Sequence, residues 1–429
     1  MKKYAVITSC FDTLSGYGKK SYDICKSIID LKHEEWDIHL ISLKWGNTKF
    51  GYLPDDDYVK KYSKDNTLHR KPDIYIHVGI PNEFNPIGEY NILFTSGIET
   101  TIAPSGWIEG CNKADLIIVP SEFTKKVFLD SKYELRDDSN GTTTPIEIKK
   151  PIKVLFEGFN EDIFRPLNSM KDYKSEELTN MMKNISEDFC FLFVGTWLQG
   201  NLGQDRKDVG MLIKVFLETF KNKVNNRPAL ILKTSGATTS ILDRDDILNK
   251  IDSIRKTVTA TILPNIYLIH GELSDDEMNE LYNHRKVKSF VSFTKGEGFG
   301  KPILEFTSAT AKPIIVSNWS GHLDYLDKRF VNLLGGSLTK LDPSSVVKDM
   351  LIPESSWFTV NYQDSARIMA DVFDNYKNYT SGAKLQQIYS SKYSLSMMKE
   401  ELNRLIDECI PVEREIILPD FVKFDYDLP

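Results

Sequence analysis

The chain has 429 residues, of which 41% are apolar and 27% are charged, and its formal net charge is −7. At about 100–200 residues per domain, this length predicts two domains. The acidic excess argues against a surface built to coat nucleic acid, although a local basic cleft is compatible with it. The five cysteines are widely spaced and form no CxxC pair, which indicates reduced thiols rather than a disulfide framework or a zinc site.

The N-terminal stretch MKKYAVITSC holds only a short apolar run before polar residues follow. It predicts a first β-strand rather than a signal peptide. No window of the sequence approaches the roughly 18 consecutive apolar residues that a membrane-spanning helix needs. We therefore expect a cytoplasmic protein without a membrane span.

The first third of the chain alternates short apolar runs with helical patterns. The runs are rich in Ile, Val and Leu, which is typical of a parallel sheet buried on both faces. They occur at residues 4–10, 36–43, 73–79, 91–96 and 115–121. Ser121 is placed to cap the helix EFTKKVFLD. Residues 134–150 carry turn-forming residues without helical periodicity and predict a loop.

A second series of strands and helices begins at FCFLFVGTW, residues 189–197. Further strands are predicted at residues 229–235, 265–271, 289–293 and 312–317, and an amphipathic helix at about 395–409. We predict two domains, each with its own sheet, at residues 1–160 and 161–394. The C-terminal segment at about 395–429 is a candidate to pack back on the first domain.

The stretch GEGFGKPILE, residues 296–305, follows the predicted strand SFVSF. Pro302 suits the first turn of a helix, because its missing N–H needs no partner there. Glycines before that helix can expose backbone N–H groups at its positive end, where an anion or the oxygens of a sugar can bind. Position 298 or 300 is also expected to require a positive φ.

Two glutamates lie in this stretch. Glu297 lies in the loop at the carboxyl end of the strand, where open α/β sheets bind ligands, and we place it near a reacting sugar. Glu305 is predicted within the first helical turn, facing the cleft or solvent, where it can accept hydrogen bonds from vicinal hydroxyls such as those of a ribose. The alternative is that both carboxylates only interact with the helix dipole.

The stretch resembles the Glu-x7-Glu motif of the retaining glycosyltransferases of family four. Three other segments are similar to that family: VPSEFTKKVF to its last N-domain strand and helix, VLFEGFNEDIFRPL to its interdomain crossing, and FVGTW with RKDVGMLIKVF to its phosphate-binding segment. The resemblance covers most of the chain. It implies the GT-B fold, an α/β architecture of two Rossmann-like domains whose parallel sheets face each other across a cleft.

The resemblance also implies a nucleotide-diphosphate sugar, with a UDP- or GDP-sugar expected, bound in the cleft mainly by the second domain. Arg206 and Lys207 match the variant in which the two phosphate-binding cations are adjacent, and with Glu297 they form the predicted catalytic set. A charged hydrogen bond from Lys233, at a strand end, would also suit phosphate. The predicted donor-binding residues are Glu305, Lys233, Gly16, Gly18, Gly271, Leu273, Gly296, Gly298, Phe299 and Gly300.

Some positions depart from the family pattern. Glu99 follows the strand after which many relatives have a His, and it is predicted to contact the donor sugar or the acceptor. Thr196 stands where many relatives have an Arg.

Aspartates at 55–57 and 243–246 lie away from the predicted cleft edge, and cations with a helix N-terminus can neutralise phosphate, so no metal and no other cofactor is predicted. Relatives retain anomeric configuration with help from the leaving phosphate, so no general base is assigned.

Three functions are compatible with these residues. The main interpretation is a metal-independent, retaining glycosyltransferase; the alternatives are a nucleotide-sugar 2-epimerase of the same fold and a non-catalytic sugar-binding subunit. The overall sequence is similar to glycosyltransferases of tailed bacteriophages, which would act in the host cytoplasm on a glycan or on a hydroxymethylated base in DNA. A DNA acceptor predicts a basic stripe beside the cleft. Its candidates are Lys19, Lys20, Lys125, Lys126, Lys149 and Lys150.

Overall fold

The computed structural model shows two parallel six-stranded sheets. It describes residues 2–46, 48–65, 67–136, 139, 141–236 and 238–411. Every apolar run that predicts a strand coincides with one, so these predictions are confirmed. No helix within the described ranges is long and apolar enough to cross a membrane.

The first sheet is built from residues 3–154. In chain order, the elements are β1 (Lys3–Ser9), α1 (Gly16–Lys32), β2 (Trp36–Ser42), β3 (Ile74–Val78), β4 (Tyr90–Phe94), α2 (Ser105–Asn112), β5 (Leu116–Val119), α3 (Glu122–Asp130), β6 (Tyr133–Arg136), β7 (Thr143–Ile146) and β8 (Ile152–Val154). The strand order is β2-β1-β3-β4-β5-β8 and all neighbours are parallel. Strands β3 and β5 are buried at every position, which explains why their sequences are apolar apart from His77 on β3.

The second sheet is built from residues 190–334. The elements that form and surround it are α4 (Glu176–Lys183), β9 (Cys190–Val194), α5 (Val209–Phe220), β10 (Ala229–Lys233), α6 (Ile241–Lys256), β11 (Ile266–Ile269), α7 (Asp275–Asn283), β12 (Val287–Ser292), α8 (Lys301–Ala309), β13 (Ile314–Ser317), β14 (Asn332–Leu334), β15 (Gly336–Lys340), β16 (Ser356–Val360), α9 (Tyr362–Asp374) and α10 (Lys377–Ser390). The strand order is β11-β10-β9-β12-β13-β14, again parallel throughout. We call the two halves the first lobe and the second lobe.

The last described helix, α11 (Leu395–Cys409), belongs to the core of the first lobe. Its apolar face contributes Met398, Leu402 and Leu405, which pack with residues of β1, β2 and α1. The chain crosses between the lobes twice. The two crossings lie side by side, and a hydrogen bond from Leu395 N to Phe159 O at 2.7 Å joins them. Residues 412–429 of the segment that we expected to pack here lie outside the described residues.

The prediction of a loop at residues 134–150 is wrong in part. Strands β6 and β7 form an antiparallel hairpin that pairs Tyr133 with Ile146. Both residues pack against the apolar cluster around Trp107 in the first lobe. That tertiary contact holds the strands, and a search for local periodicity could not detect it. Residues 137, 138 and 140 of the predicted loop lie outside the described residues.

A buried histidine makes the stability of the first lobe depend on pH. His77 on β3 is 4% exposed, and neither ring nitrogen has a hydrogen-bond partner among the described residues. Burial lowers the pKa of His77 to about 4. An unfolded histidine has a pKa near 6.5, so between these values only the unfolded chain binds the proton. Stability is therefore lost as the pH falls through this window, by about 2 kcal/mol between pH 7.5 and 5.

We predict that His77→Leu removes this contribution. The unfolding free energy of the variant should fall by about 2 kcal/mol less than that of the wild type between pH 7.5 and 5. Urea denaturation at both pH values measures the difference, and the carboxylates that titrate in both proteins cancel. An equal loss of unfolding free energy in the variant and the wild type would contradict the role of His77.

Candidate functional site

The loop between β12 and α8 lies at the carboxyl edge of the second sheet and touches the first lobe. A Cβ atom built at Gly296 would lie 2.1 Å from Glu99 O, and one at Gly298 would lie 2.6 Å from Ser96 O. Ser96 and Glu99 follow β4 of the first lobe. The absence of side chains at 296 and 298 therefore allows the two backbones to meet. Gly300 caps α8 with a φ of 87°, which confirms the expected positive φ at one of the two predicted positions.

Hydrogen bonds join the lobes at the same place. Ser121 Oγ accepts from Thr124 N, which confirms the predicted helix cap, and it also donates to Gly298 O at 2.6 Å. Glu122 N donates to Asp324 Oδ2 at 2.8 Å. The N-terminus of α3 in the first lobe is thus fixed to the glycine-rich loop of the second.

Glu297 is buried at this junction among positive charges. Lys207 Nζ donates to Glu297 Oε1, and Arg206 Nη1 lies 3.6 Å from Glu297 Oε2. Burial acts to raise the pKa of Glu297, but the charges of Lys207 and Arg206 outweigh it and lower that pKa to about 2. Glu297 is therefore ionised at neutral pH. The structure brings together the three residues that the sequence predicts as catalytic.

Arg206 also reaches the first lobe. Its Nη1 donates to Gly296 O at 2.9 Å and lies 3.3 Å from Glu99 Oε1. Glu99 thus contacts the predicted phosphate-binding cation. Burial lowers the pKa of Lys207, although the charge of Glu297 opposes this shift. The site consequently holds two cations and two carboxylates in a junction largely shielded from water.

Lys233 is the last residue of β10, at the same edge of the sheet. Its Nζ donates to Gly271 O at 2.7 Å, and burial lowers its pKa. His270 contacts Asp243, which also accepts from Gly236 N at 2.8 Å. Asp243, one of the aspartates considered for a metal, therefore fixes two loops. The described part of the chain holds no cluster of three His, Cys, Asp or Glu residues arranged for a metal ion.

Two predicted donor-binding side chains are packed inside the second lobe. Phe299 is buried, and its ring lies 5.0 Å from that of Tyr325. Leu273 is partly buried against the core that contains Phe299. At these two positions, backbone groups are the better candidates to face a ligand.

Glu305 lies on the cleft side, one of its two predicted settings, but later in the helix than predicted. Helix α8 begins at Lys301, so Glu305 is its fifth residue and lies beyond the first turn. It is buried between the lobes rather than facing solvent, and its Oε1 lies 3.2 Å from Lys19 Nζ of α1. Burial raises the pKa of Glu305, while Lys19 and Lys301 act in the opposite direction. A second pair between the lobes joins Lys301 to Asp23 at 2.6 Å.

Gly16 and Gly18 lie at the start of α1. Ser15 caps this helix by accepting from Gly18 N at 2.9 Å. A Cβ atom at Gly18 would lie 1.8 Å from Thr13 O, so glycine is required because the preceding loop folds back on the helix. Gly16 is exposed, and no atom of the described residues would lie within 4 Å of a Cβ there.

The lysines considered as a DNA-binding stripe are mostly neutralised by neighbours. Five of the six form an ion pair with an acidic side chain, and Lys149 uses its backbone N–H to bond Asn112. The pairs are Lys19 with Asp275 and Glu305, Lys20 with Glu157, Lys125 with Glu122, Lys126 with Asp130, and Lys150 with Asp115. Duplex phosphates would have to compete with these carboxylates.

Sequence reasoning missed several residues that shape the site. Ser320, at a φ of 87°, accepts a hydrogen bond from Glu297 N at 2.9 Å. Tyr17 OH accepts from Ser96 N and donates to Gly79 O, both at 2.9 Å. Tyr17 lies between the predicted Gly16 and Gly18, but local sequence carries no signal for the distant partners of Tyr17 or Ser320.

No protein-family model and no curated protein sequence matches the chain. Solved structures do resemble it. HepE from Anabaena, in complex with UDP and glucose, is 11% identical with a TM-score of 0.59, over 95% of this chain and all of that one. A glycosyltransferase from Rickettsia africae is 14% identical with a TM-score of 0.56, over 95% of this chain and 99% of that one.

A UDP-forming trehalose-phosphate synthase from Burkholderia xenovorans is 10% identical, with a TM-score of 0.58, over 96% of this chain and all of that one. These structures are GT-B glycosyltransferases. The chain has the GT-B fold, so the fold predicted from the sequence is confirmed. Identities this low establish the fold alone.

We predict that Gly298→Ala forces the lobes apart, because the added methyl would lie 2.6 Å from Ser96 O. The radius of gyration measured by small-angle X-ray scattering should rise, and the melting temperature should fall. Gly106→Ala on α2 is the matched control, since no described atom lies within 4 Å of a Cβ there. A Gly298→Ala profile that superimposes on the wild type would refute the close contact.

Proposed function

We propose that this protein is a retaining glycosyltransferase that moves a sugar from a nucleotide-diphosphate donor to a hydroxyl acceptor. The observation that carries this proposal is the cluster of buried Glu297 with partly buried Arg206 and Lys207 where the two lobes meet. In open α/β folds, ligands bind at this edge of the sheet. The resemblance to family four and the GT-B fold agree with it.

The cations suit a departing nucleoside diphosphate. As the bond between the anomeric carbon and phosphate oxygen breaks, negative charge grows on the leaving group. Arg206 and Lys207 would neutralise that charge, with each charged hydrogen bond contributing about 1.5–3 kcal/mol. The N-terminus of α8 would add its backbone N–H groups. No divalent metal is needed in this scheme, because the protein itself supplies the positive charge.

Glu297 has a different role. Its carboxylate stays ionised and can stabilise the positive charge that grows on the sugar as the leaving group departs. The acceptor oxygen then bonds to the anomeric carbon on the face that the phosphate leaves. Its proton passes to the leaving phosphate, so the anomeric configuration is retained without a dedicated base.

The remaining residues are proposed to bind the donor. Lys233 would contact phosphate, Glu305 would accept hydrogen bonds from ribose hydroxyls, and backbone groups at Gly271 and Leu273 would hold the base. HepE is described in complex with UDP and with UDP-glucose, and an E. coli trehalose-6-phosphate protein with UDP-2-fluoro glucose. We favour a UDP-sugar for this chain and keep a GDP-sugar as the alternative.

A glycan is the favoured acceptor. The candidate basic stripe is largely paired with carboxylates, which weakens the case for a hydroxymethylated base in phage DNA. Glu99, next to Arg206, is placed to contact the acceptor or the donor sugar. A nucleotide-sugar 2-epimerase remains the second enzymatic candidate because it would use the same fold and donor.

Incubation with a panel of UDP- and GDP-sugars tests the proposal. The correct donor at 100 times its dissociation constant should add about 2.7 kcal/mol to the apparent stability. Without an acceptor, a glycosyltransferase releases nucleotide diphosphate slowly, whereas an epimerase makes a new nucleotide sugar. NMR of the transferred sugar reports its anomeric configuration. Failure of every nucleotide and nucleotide sugar to bind would overturn the proposal.

We predict that Lys207→Ala and Glu297→Gln act on different steps. Lys207→Ala should weaken donor and nucleotide-diphosphate binding about 10- to 100-fold, because it removes a charged phosphate contact. Glu297→Gln should lower kcat about 100-fold and change nucleotide-diphosphate affinity less, because its charge acts on the reacting sugar. Calorimetry and steady-state kinetics measure the two effects.

The control for lost positive charge is Lys221→Ala, at a surface pair with Glu218. It should leave binding and kcat unchanged. Wild-type kinetics for Glu297→Gln, or undiminished nucleotide binding by Lys207→Ala, would rule out the corresponding role.

A further inference from the structure

Two buried acidic residues flank the proposed phosphate-binding cations. The loop at residues 195–208 joins β9 to α5, and in it Asp205 precedes Arg206 while Asp208 follows Lys207. Both aspartates are almost completely buried. The proposed mechanism uses neither of them, so their burial beside the site requires its own explanation.

Asp208 has a costly backbone conformation. Its φ of 53° and ψ of 37° lie in the left-handed region, where glycine is favoured. It begins α5 by accepting from Leu212 N at 2.9 Å, but its side chain makes no capping hydrogen bond. Glycine would meet the backbone requirement with less strain. The aspartate side chain must therefore contribute something beyond the turn.

That contribution is a buried ion pair with Lys295. The side chains are 0% and 1% exposed, and Lys295 Nζ lies 3.2 Å from Asp208 Oδ2. The same oxygen accepts from Tyr362 OH at 2.8 Å. Lys295 Nζ also donates to Thr359 Oγ1 at 2.9 Å. The Lys295 side chain is thus directed by partners in two different segments.

The pair connects the two segments that carry the proposed catalytic charges. Lys295 immediately precedes Gly296 and is two residues from Glu297, while Asp208 is the next residue after Lys207. The backbones are joined as well, since Lys295 N donates to Arg206 O at 2.8 Å. This ion pair and this backbone hydrogen bond, together with the hydrogen bond from Arg206 to Gly296 O, align the loop at 195–208 with the loop before α8.

We propose that Asp208 and Lys295 are positioning residues that hold Arg206 and Lys207 against Glu297. A buried ion pair adds little net stability compared with a well-packed apolar pair, so its main effect here is directional. The inference deepens the proposed function and rests on it. A displacement of about 1 Å in such a cluster is enough to slow a reaction about 100-fold.

The double variant Asp208→Gly/Lys295→Met tests the role without leaving an unpaired charge. Glycine suits the left-handed backbone, and methionine fills much of the lysine volume. We expect the variant to fold, with near wild-type circular dichroism, but with kcat lowered about 10- to 100-fold. Hydrogen exchange should accelerate in residues 195–208 and 294–298 and stay unchanged in the first sheet.

A structural control and a conservative variant complete the experiment. Glu280→Gln changes another buried carboxylate of the second lobe, which accepts from Lys174 N and Ser175 N, and it should leave kcat and both exchange rates unchanged. Lys295→Arg keeps the charge but alters its geometry. It should fold and retain part of the activity that the double variant loses.

Wild-type kcat and exchange in the double variant would overturn the inference. If the double variant does not fold, the Lys295→Arg variant provides the test. A wild-type kcat and wild-type hydrogen-exchange rates in Lys295→Arg would then overturn the inference. If the wild-type protein binds no nucleotide and no nucleotide sugar, the proposed function fails. Faster exchange of both loops would still support the alignment by Asp208 and Lys295, so the two failures are distinguishable.

Discussion

The site depends on a single electrostatic constraint: cations withdrawn from water must be paired. Lys207 and Arg206 are partly buried where the lobes meet, and Glu297 provides their nearest negative charge within the second lobe. Removing Glu297 would take away the ion-pair partner of Lys207 in a poorly hydrated region, which is costly. The same arrangement suits the proposed transfer chemistry, because an incoming diphosphate would offer the cations an alternative partner, and Glu297 would then be available to a developing positive charge.

The glycine-rich loop makes this arrangement possible. Its backbone approaches that of the first lobe so closely that side chains at 296 and 298 would collide with carbonyl oxygens. Ser121, at the N-terminus of α3 in the first lobe, donates a hydrogen bond to Gly298 O of the same loop. Lys19 with Glu305 and Lys301 with Asp23 add charge contacts between the lobes. The proposed donor site and the contacts between the lobes therefore involve the same few residues, and changes in one are expected to alter the other.

Charge distribution also bears on the acceptor. Many lysines of the first lobe are paired with carboxylates on neighbouring turns or on the second lobe. These lysines form ion pairs within the protein, so less unpaired positive charge is left to bind the phosphates of a nucleic acid. A neutral glycan would not compete with the carboxylates for these lysines. The net charge of −7 is also easier to reconcile with a neutral acceptor than with DNA.

Periodicity, capping and glycine preference act over a few residues, so the sequence alone was enough to predict most strands of the two parallel sheets, the fold class, the cap at Ser121 and the positive φ before α8. It also singled out Arg206, Lys207 and Glu297 through motif resemblance. The pairing of Glu305 with Lys19 and of Asp208 with Lys295 is visible only in the folded chain, since these partners are far apart in the sequence. The hairpin at residues 133–146 likewise depends on packing against the first lobe. Long-range ion pairs and packing depend on how whole helices and strands are placed against each other, and a local sequence pattern does not determine that placement.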